Sequence, residues 1–384
     1  MASPDRSNDI PERALELRST LTDDGMVTMD VREADVRPPG DGEVVVRVEA
    51  APINPSDLGM MLAMADPEKA SAANGDRPGV SLPVSPAAMA GMAARVGEPM
   101  PVGNEGAGVV VSAGSSDDAQ ALLGRTVGFV SGHSYSQYQT LPAQACLAMP
   151  EGTSPEQAAA PFVNPLTALG MVETMRLEGH TALIHTVGAS NLGLMLNRIC
   201  AADGVGLVNI VRRAEQGDLV KADGGEHVVV SSADTFHDDL LDAIRATGAT
   251  IAFDAIGGGE LAGQLLSAME KVASEGAAFS RYGSDTHKQV YIYGGLDRSP
   301  TLLRRDFGMS WGLGGWLLTP FLGRVGGERA QELRQRVADE ITTTFASAYG
   351  HRLTLEEAVD PDQVKRYGKM ATGDKALVTP HGAG

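Results

Sequence analysis

Between Thr181 and Arg213 the spacing of apolar positions changes twice. Ala182, Leu183 and Ile184 form a short continuous run of the kind a buried strand requires, and a turn of small residues follows: Gly188, Ala189, Ser190, Asn191, Leu192 and Gly193. Leu194, Leu196 and Ile199 then fall at helical spacing, and a second apolar run, Leu207, Val208, Ile210 and Val211, ends on Arg212 and Arg213. The pattern predicts strand, tight turn, helix, strand: a βαβ unit.

The same rhythm continues downstream through EHVVVSS, DLLDAIRATG, ATIAFDAIGGG, LAGQLLSAM and KQVYIYGGL, which predicts a parallel sheet with helices on both faces. Upstream the text differs. LRSTL, MVTMDV and EVVVRVEAAPINPSDLG are short strand-like runs separated by Gly and Pro turns, as in an antiparallel β domain taking shape from Leu17. Residues 1–16 read as a polar tail or short helix. Residues 63–101 are too long for a simple connection, so they are read as a cover over a ligand site or a mobile surface excursion. PVGNEGAGVVVSAGS returns to strand, and a helix start at Thr153–Pro155 hands the chain to the α/β part. After Gly295 a stretch carrying Trp311 and Trp316 precedes a long amphipathic helix, ERAQELRQRVADEITTTFASAY, and TGDKALVTP closes the text as a strand.

At 384 residues two domains are expected, and 43% hydrophobic residues suffice for their cores. A net charge of −18 disfavours nucleic acid and anionic membrane as partners, because phosphate would be repelled. Cys146 and Cys200 are too few for a disulfide framework or a four-thiolate zinc site. The amino-terminal residues lack an apolar signal core and no run is long enough to span a membrane, so a cytoplasmic protein is expected.

The small-residue turn carries the first candidate chemistry. Backbone N–H groups at a helix start, helped by the helix dipole, hold a dinucleotide pyrophosphate, and Gly188 and Gly193 keep turn and helix close. Ser190 and Asn191 stand where a stricter fingerprint has glycine, and a tight turn without ligand is the alternative reading. NAD-specific units end the second strand on an acid that accepts the ribose 2′-OH; here Arg212 and Arg213 stand there, cations suited to a 2′-phosphate. The cofactor expected is NADPH, against the alternative of surface arginines on a solvated loop.

The β domain, the N-P-S-D turn, the GNEGAG segment, the glycine loop and the terminal TGDKALVTP strand, in this order, resemble the zinc-free branch of the medium-chain dehydrogenase/reductase superfamily, from about Leu17 to Pro380. The resemblance implies an α/β protein: a GroES-like antiparallel β domain over 1–163, completed by 348–384, and a doubly wound Rossmann domain over 164–347 with the cofactor in a cleft between them. Zinc-dependent members carry a histidine where this chain has Asn104, and their cysteine ligand near Asn54–Asp57 is missing, so no metal is expected. INPSD and YSQY look like the NADPH:quinone reductases, SWGLGGWL and VYIYGGL like the 2-enoyl thioester reductases; the latter use a tyrosine after the N-P-S-D turn, and none stands between Leu58 and Pro101. The activity implied is hydride transfer from NADPH to a quinone or other conjugated carbonyl. The alternatives are enoyl thioester reduction and NADPH binding without turnover.

Carried over residue by residue, Ser190, Asn191 and Leu192 meet the pyrophosphate through backbone N–H groups and Arg212 and Arg213 meet the 2′-phosphate. Thr167 seats the nicotinamide half, Asn54 contacts nicotinamide or substrate, and Gly257 and Gly294 border the cofactor. Tyr135 and His133 are candidate proton donors, and the wide apolar acceptor pocket draws on residues 63–101 and the Trp311–Trp316 stretch. A homodimer is expected.

Overall fold

The computed structural model describes residues 10–75 and 77–382. Its first elements are β1 (Arg13–Leu21), β2 (Met26–Asp35), β3 (Glu43–Pro52), α1 (Pro55–Leu62), β4 (Ser71–Ala72), β5 (Gly79–Pro83), α2 (Pro86–Gly91) and β6 (Pro99–Pro101). They are followed by β7 (Glu105–Ala113), α3 (Asp117–Gln120), β8 (Thr126–Val130), β9 (Tyr138–Pro142), β10 (Cys146–Ala148) and α4 (Pro155–Ala158). β1 begins at Arg13, earlier than the expected Leu17; the remainder of the predicted tail up to residue 9 lies outside the described residues.

The α/β part comprises α5 (Val163–Leu177), β11 (Ala182–His185), α6 (Asn191–Asp203), β12 (Gly206–Val211), α7 (Ala214–Ala222), β13 (His227–Val230), α8 (Phe236–Thr247), β14 (Ile251–Asp254), β15 (Gly257–Gly259), α9 (Leu261–Ala273), β16 (Lys288–Ile292), β17 (Asp297–Thr301) and β18 (Trp311–Gly315). The chain closes with α10 (Leu318–Asp339), β19 (His351–Leu353), α11 (Pro361–Gly368) and β20 (Ala376–Val378). Among the described residues no helix is long and apolar enough to cross a membrane.

Contacts divide the chain into two units. One runs to Val163 and resumes at Arg334; the other is Asn164–Leu333. The second crossing thus falls inside α10, not after residue 347 as the sequence suggests. The cause is local: Arg334 donates to the Gln144 carbonyl at 2.9 Å and its guanidinium lies over the Phe162 ring, both first-unit groups. The helix predicted to run on to Tyr349 ends at Asp339 and begins earlier, at Leu318, with a kink at Gly326.

The first unit has a five-stranded sheet, β4-β5-β2-β1-β6, and a seven-stranded one in which β3 lies between β7 and β20 and also pairs β9. Alternation makes the strands: in β5, Val80 and Leu82 are buried and the residues beside them are not. The described residues of 63–101 are built into the first sheet. Their β5 pairs with β2 from Met26↔Pro83 to Asp30↔Gly79, their β6 pairs with β1, and Arg95 Nη2 donates to Ser19 Oγ at 2.6 Å.

The second unit is a six-stranded all-parallel sheet in the order β13-β12-β11-β14-β16-β18. The order reverses between β11 and β14, the switch point where ligands meet doubly wound sheets. Ile184, Val208, Ala252 and Val290 fill its centre and are fully buried.

Candidate active site

In the second unit the glycine loop joins β11 to α6. Ser190 caps α6, its hydroxyl accepting from the Gly193 N–H at 3.0 Å, and Gly204 ends the helix in the left-handed region at φ 65°. Gly193 has no room for a side chain, since a Cβ would come within 2.3 Å of the Gly188 carbonyl. Val187 adopts φ 58°, costly for a β-branched residue, so strain is concentrated in the turn. The Ser190 N–H donates back to the Val187 carbonyl at 2.9 Å. Ser190 also shapes the helix start through its hydroxyl. The helix end, with Asn191 and Leu192 as its first residues, is the anion-favouring one.

Arg212 and Arg213 stand where β12 gives way to α7. Their backbone N–H groups both donate to Gln216 Oε1 at 3.1 Å, which fixes the chain and leaves the side chains outward. Both are exposed. Arg213 reaches Glu215 only at 3.9 Å, and among the described residues the Arg212 guanidinium makes no ion pair. Exposed pairs of that kind hold a side chain weakly, so both cations can turn to a phosphate.

Asp254, fully buried at the end of β14, was not singled out by the sequence. Its carboxylate accepts from Thr186 Oγ1 at 3.1 Å and from the N–H groups of Ile256 and Gly257 at 2.8 and 3.1 Å. Thr186 Oγ1 accepts in turn from the Ala255 N–H at 2.8 Å, so one acid fixes the exits of two neighbouring strands. The loops carrying Gly257 and Gly294 meet: a Cβ on Gly257, at φ 81°, would approach the Gly294 carbonyl to 2.8 Å, and one on Gly294 the Ala255 carbonyl to 2.7 Å. Thr167 is buried in α5.

In the first unit Asn54 precedes α1 and is almost fully buried. Its Nδ2 donates to Glu105 Oε1 at 2.9 Å and its backbone N–H to Asp57 Oδ2 at 2.7 Å; Asp57 Oδ1 accepts from the Asn104 N–H at 2.8 Å. Glu105 Oε2 also accepts from the Phe162 and Val163 N–H groups at 2.8 and 2.9 Å. Burial pushes the Asp57 carboxyl up to about 7 against the pull of those N–H groups, and raises Glu105 as well. Neither acid was singled out as a site residue by the sequence, although Asp57 is the last letter of INPSD and Glu105 stands inside GNEGAG.

Tyr135 borders this cluster beside Asp57, whereas His133 is held by a different acid. The Tyr135 side chain is fully buried, its hydroxyl donates to the Pro52 carbonyl at 3.0 Å, and burial together with the neighbouring Asp57 raises its pKa well above the ordinary value. His133 Nε2 pairs with Glu16 Oε2 at 2.5 Å beside β1. The two tryptophans are likewise engaged inside the second unit. Trp311 packs edge-on against Phe307; Trp316 packs against Phe253 and Phe321, and its Nε1 donates to Thr174 Oγ1 at 3.0 Å. Both indoles thus serve that unit's packing, which leaves no observation for their part in an acceptor pocket.

Residues 40–161 match the alcohol dehydrogenase GroES-like domain. The chain is 27% identical over 256 residues to the synaptic vesicle membrane protein VAT-1 homolog of Rattus norvegicus, a stretch covering 66% of this chain and 56% of that protein. It is 26% identical over 164 residues to a quinone oxidoreductase of Pseudomonas aeruginosa, covering 42% of this chain and 50% of that one. The chain thus spans about half the length of these curated relatives. Among solved structures, Escherichia coli quinone oxidoreductase complexed with NADPH superposes with a TM-score of 0.67 at 17% identity, over 96% of this chain and 100% of that chain. A candidate NADPH:quinone reductase of Mesorhizobium loti gives 0.71 at 24% identity, over 97% and 99%. CurK enoyl reductase gives 0.64 at 15%, over 96% and 99%.

Proposed function

We propose that the chain is a zinc-free medium-chain dehydrogenase/reductase, and within that superfamily an NADPH-dependent oxidoreductase that reduces a quinone or another conjugated carbonyl; the GroES-like match over residues 40–161 and the shared fold support this reading. The observation that carries this reading is the pair of exposed arginines beside a glycine-shaped helix start, with no carboxylate at the strand end to repel a 2′-phosphate. The residues fit the cofactor: a backbone too close for side chains at Gly188–Gly193, a helix N-terminus, and two cations free to turn.

Bound NADPH supplies a hydride, being oxidised to NADP+, and the acceptor carries that hydride away with one proton. Asn54 is the residue assigned to contact nicotinamide or acceptor. Glu105 fixes its amide and Asp57 its backbone, so it needs no reorganisation on binding. Gly257 and Gly294 keep backbone, not side chains, at the strand exits.

The test is NADPH oxidation with a panel of quinones, enones and enoyl thioesters, run beside NADH. Oxidation that depends on a quinone or enone and prefers NADPH is expected. Preference for enoyl thioesters would favour the second reading, which rests on the likeness to CurK enoyl reductase. NADPH binding without turnover on any acceptor would reduce the protein to a cofactor-binding one. The same reading expects a homodimer, which sedimentation checks.

A further inference from the structure

We propose that Lys375 is a positioning residue for this reduction: from across the β3–β20 pairing it supplies the positive charge that keeps Glu105 a carboxylate, and Glu105 in turn fixes the Asn54 amide. The assignment of Asn54 rests on the function proposed above; the electrostatic part does not.

The register places the lysine. Leu377 pairs with Pro52 and Val378 with Ala51, and the Ile53 N–H donates to the Ala376 carbonyl at 3.0 Å, so one further antiparallel step sets Lys375 opposite Asn54. Its Nζ is buried and meets no hydrogen-bond partner among the described residues. It lies 5.8 Å from the centroid of the Tyr349 ring, and the two acids that act on its charge are Glu105 and Asp57.

Glu105 shows why a charge is needed there. Its hydrogen bonds come from three donors, Asn54 Nδ2 and the Phe162 and Val163 N–H groups, which occupy both oxygens as acceptors. A protonated acid would have to give a hydrogen bond, and this surrounding is built to give them. A fully buried carboxylate is costly without an opposite charge. The groups around it are Asp57 from α1, which titrates nearby, and Lys375, Tyr349 and Tyr135; Lys375 is the cation among them.

The missing contact is part of the device. An ammonium bonded directly to Glu105 would compete with Asn54, Phe162 and Val163 for its oxygens. Set back, Lys375 stabilises the charge and leaves every acceptor site to the groups being positioned. Its own charge is opposed by burial and supported by the two acids, so lysine and acids depend on one another.

The experiment compares the parent with Lys375→Met, Lys375→Arg, Glu105→Gln and the Glu105→Gln/Lys375→Met double variant. Infrared spectra of the purified protein read the protonated-carboxyl band, and NMR reads the Asn54 side-chain amide. Lys375→Met is expected to gain a carboxyl band that the double variant lacks and to shift the Asn54 amide as Glu105→Gln does. It should lower kcat roughly tenfold or more with NADPH affinity unchanged, and Lys375→Arg should restore both readouts. No new band in Lys375→Met, or a kcat equal to the parent's, overturns the proposal. If Lys375→Met does not fold, recovery in the double variant supports the charge pairing and failure of both overturns it. If the parent reduces no acceptor, the proposed function fails, while the carboxyl band and the Asn54 resonance still decide for or against the lysine.

Discussion

Each unit buries a lysine near carboxylates, and the two do it in opposite ways. In the second unit Lys288 is fully buried and its Nζ donates to Glu270, to the Thr286 carbonyl at 2.8 Å and to Ser284 Oγ at 3.2 Å. Glu270 also accepts from the Ser284 N–H and hydroxyl, both at 2.7 Å, and from Ser274 Oγ at 2.8 Å. Although burial pushes this acid up, those bonds hold it down to about 2. In the first unit the Lys375 Nζ has no hydrogen-bond partner among the described residues, and Asp57 is pushed up to about 7. A satisfied ion pair locks a loop against a helix. An unsatisfied one keeps its acids available to orient other groups, at the cost of stability.

Removing one partner of the satisfied pair should have the largest effect. Lys288→Met strands a buried carboxylate, and a loss of about 3–5 kcal/mol in urea unfolding is expected; a change below about 1 kcal/mol would show that Glu270 is relieved by its serines alone. Next comes pH, where the units should differ in sign. The Asp57 carboxyl binds its proton more tightly folded than unfolded, so its contribution is complete below the ordinary value of 3.8 and is lost as pH rises toward about 7, on the order of a few kcal/mol. Glu270 behaves oppositely: its contribution is present above 4.5 and lost as pH falls toward about 2. Asp57→Asn should flatten the decline of stability between pH 4 and 7. The same decline persisting in that variant would move the titration elsewhere.

A smaller effect is expected at the cofactor end. Arg212→Ala and Arg213→Ala should each weaken NADPH binding by about 1.5–3 kcal/mol, the worth of a charge-assisted bond, and leave NADH binding nearly unchanged. Equal losses for both cofactors in a calorimetric titration would show that the pair does not read the 2′-phosphate. Smallest of all, Tyr135→Phe removes one buried hydroxyl bonded to the Pro52 carbonyl. Stability should fall by about 0.5–1.5 kcal/mol with the pH–rate profile unmoved; a lost alkaline limb in that profile would return Tyr135 to the proton donors.

The division between what the sequence displays and what it conceals follows the same contrast. The glycine loop, its helix and the two arginines are legible because their chemistry is local, within one βαβ unit. The fold class was legible for the same reason, as period and turn residues mark each element. Asp57 and Glu105 are visible as letters within the INPSD and GNEGAG motifs, but their partnership requires β3, β7 and β20 to lie side by side, which no local pattern reports. Residues 63–101 hid their strands because β5 contributes only Val80 and Leu82 inward, too short an alternation to announce itself. Tyr135 hid its surroundings for the converse reason: its place in the YSQY turn suggests a loop, and only the packing turns it inward.

The position of β20 also bears on how the protein can be made. It lies between β3 and β19, and β3 is complete by Pro52, so a ribosome must finish the whole second unit before the first can close its sheet. The nascent chain therefore carries an unfilled seam beside β3 throughout synthesis of residues 164–333. Such an open edge invites mispairing or a chaperone, and it makes completion of the first unit a late, long-range step even though its strands emerge first.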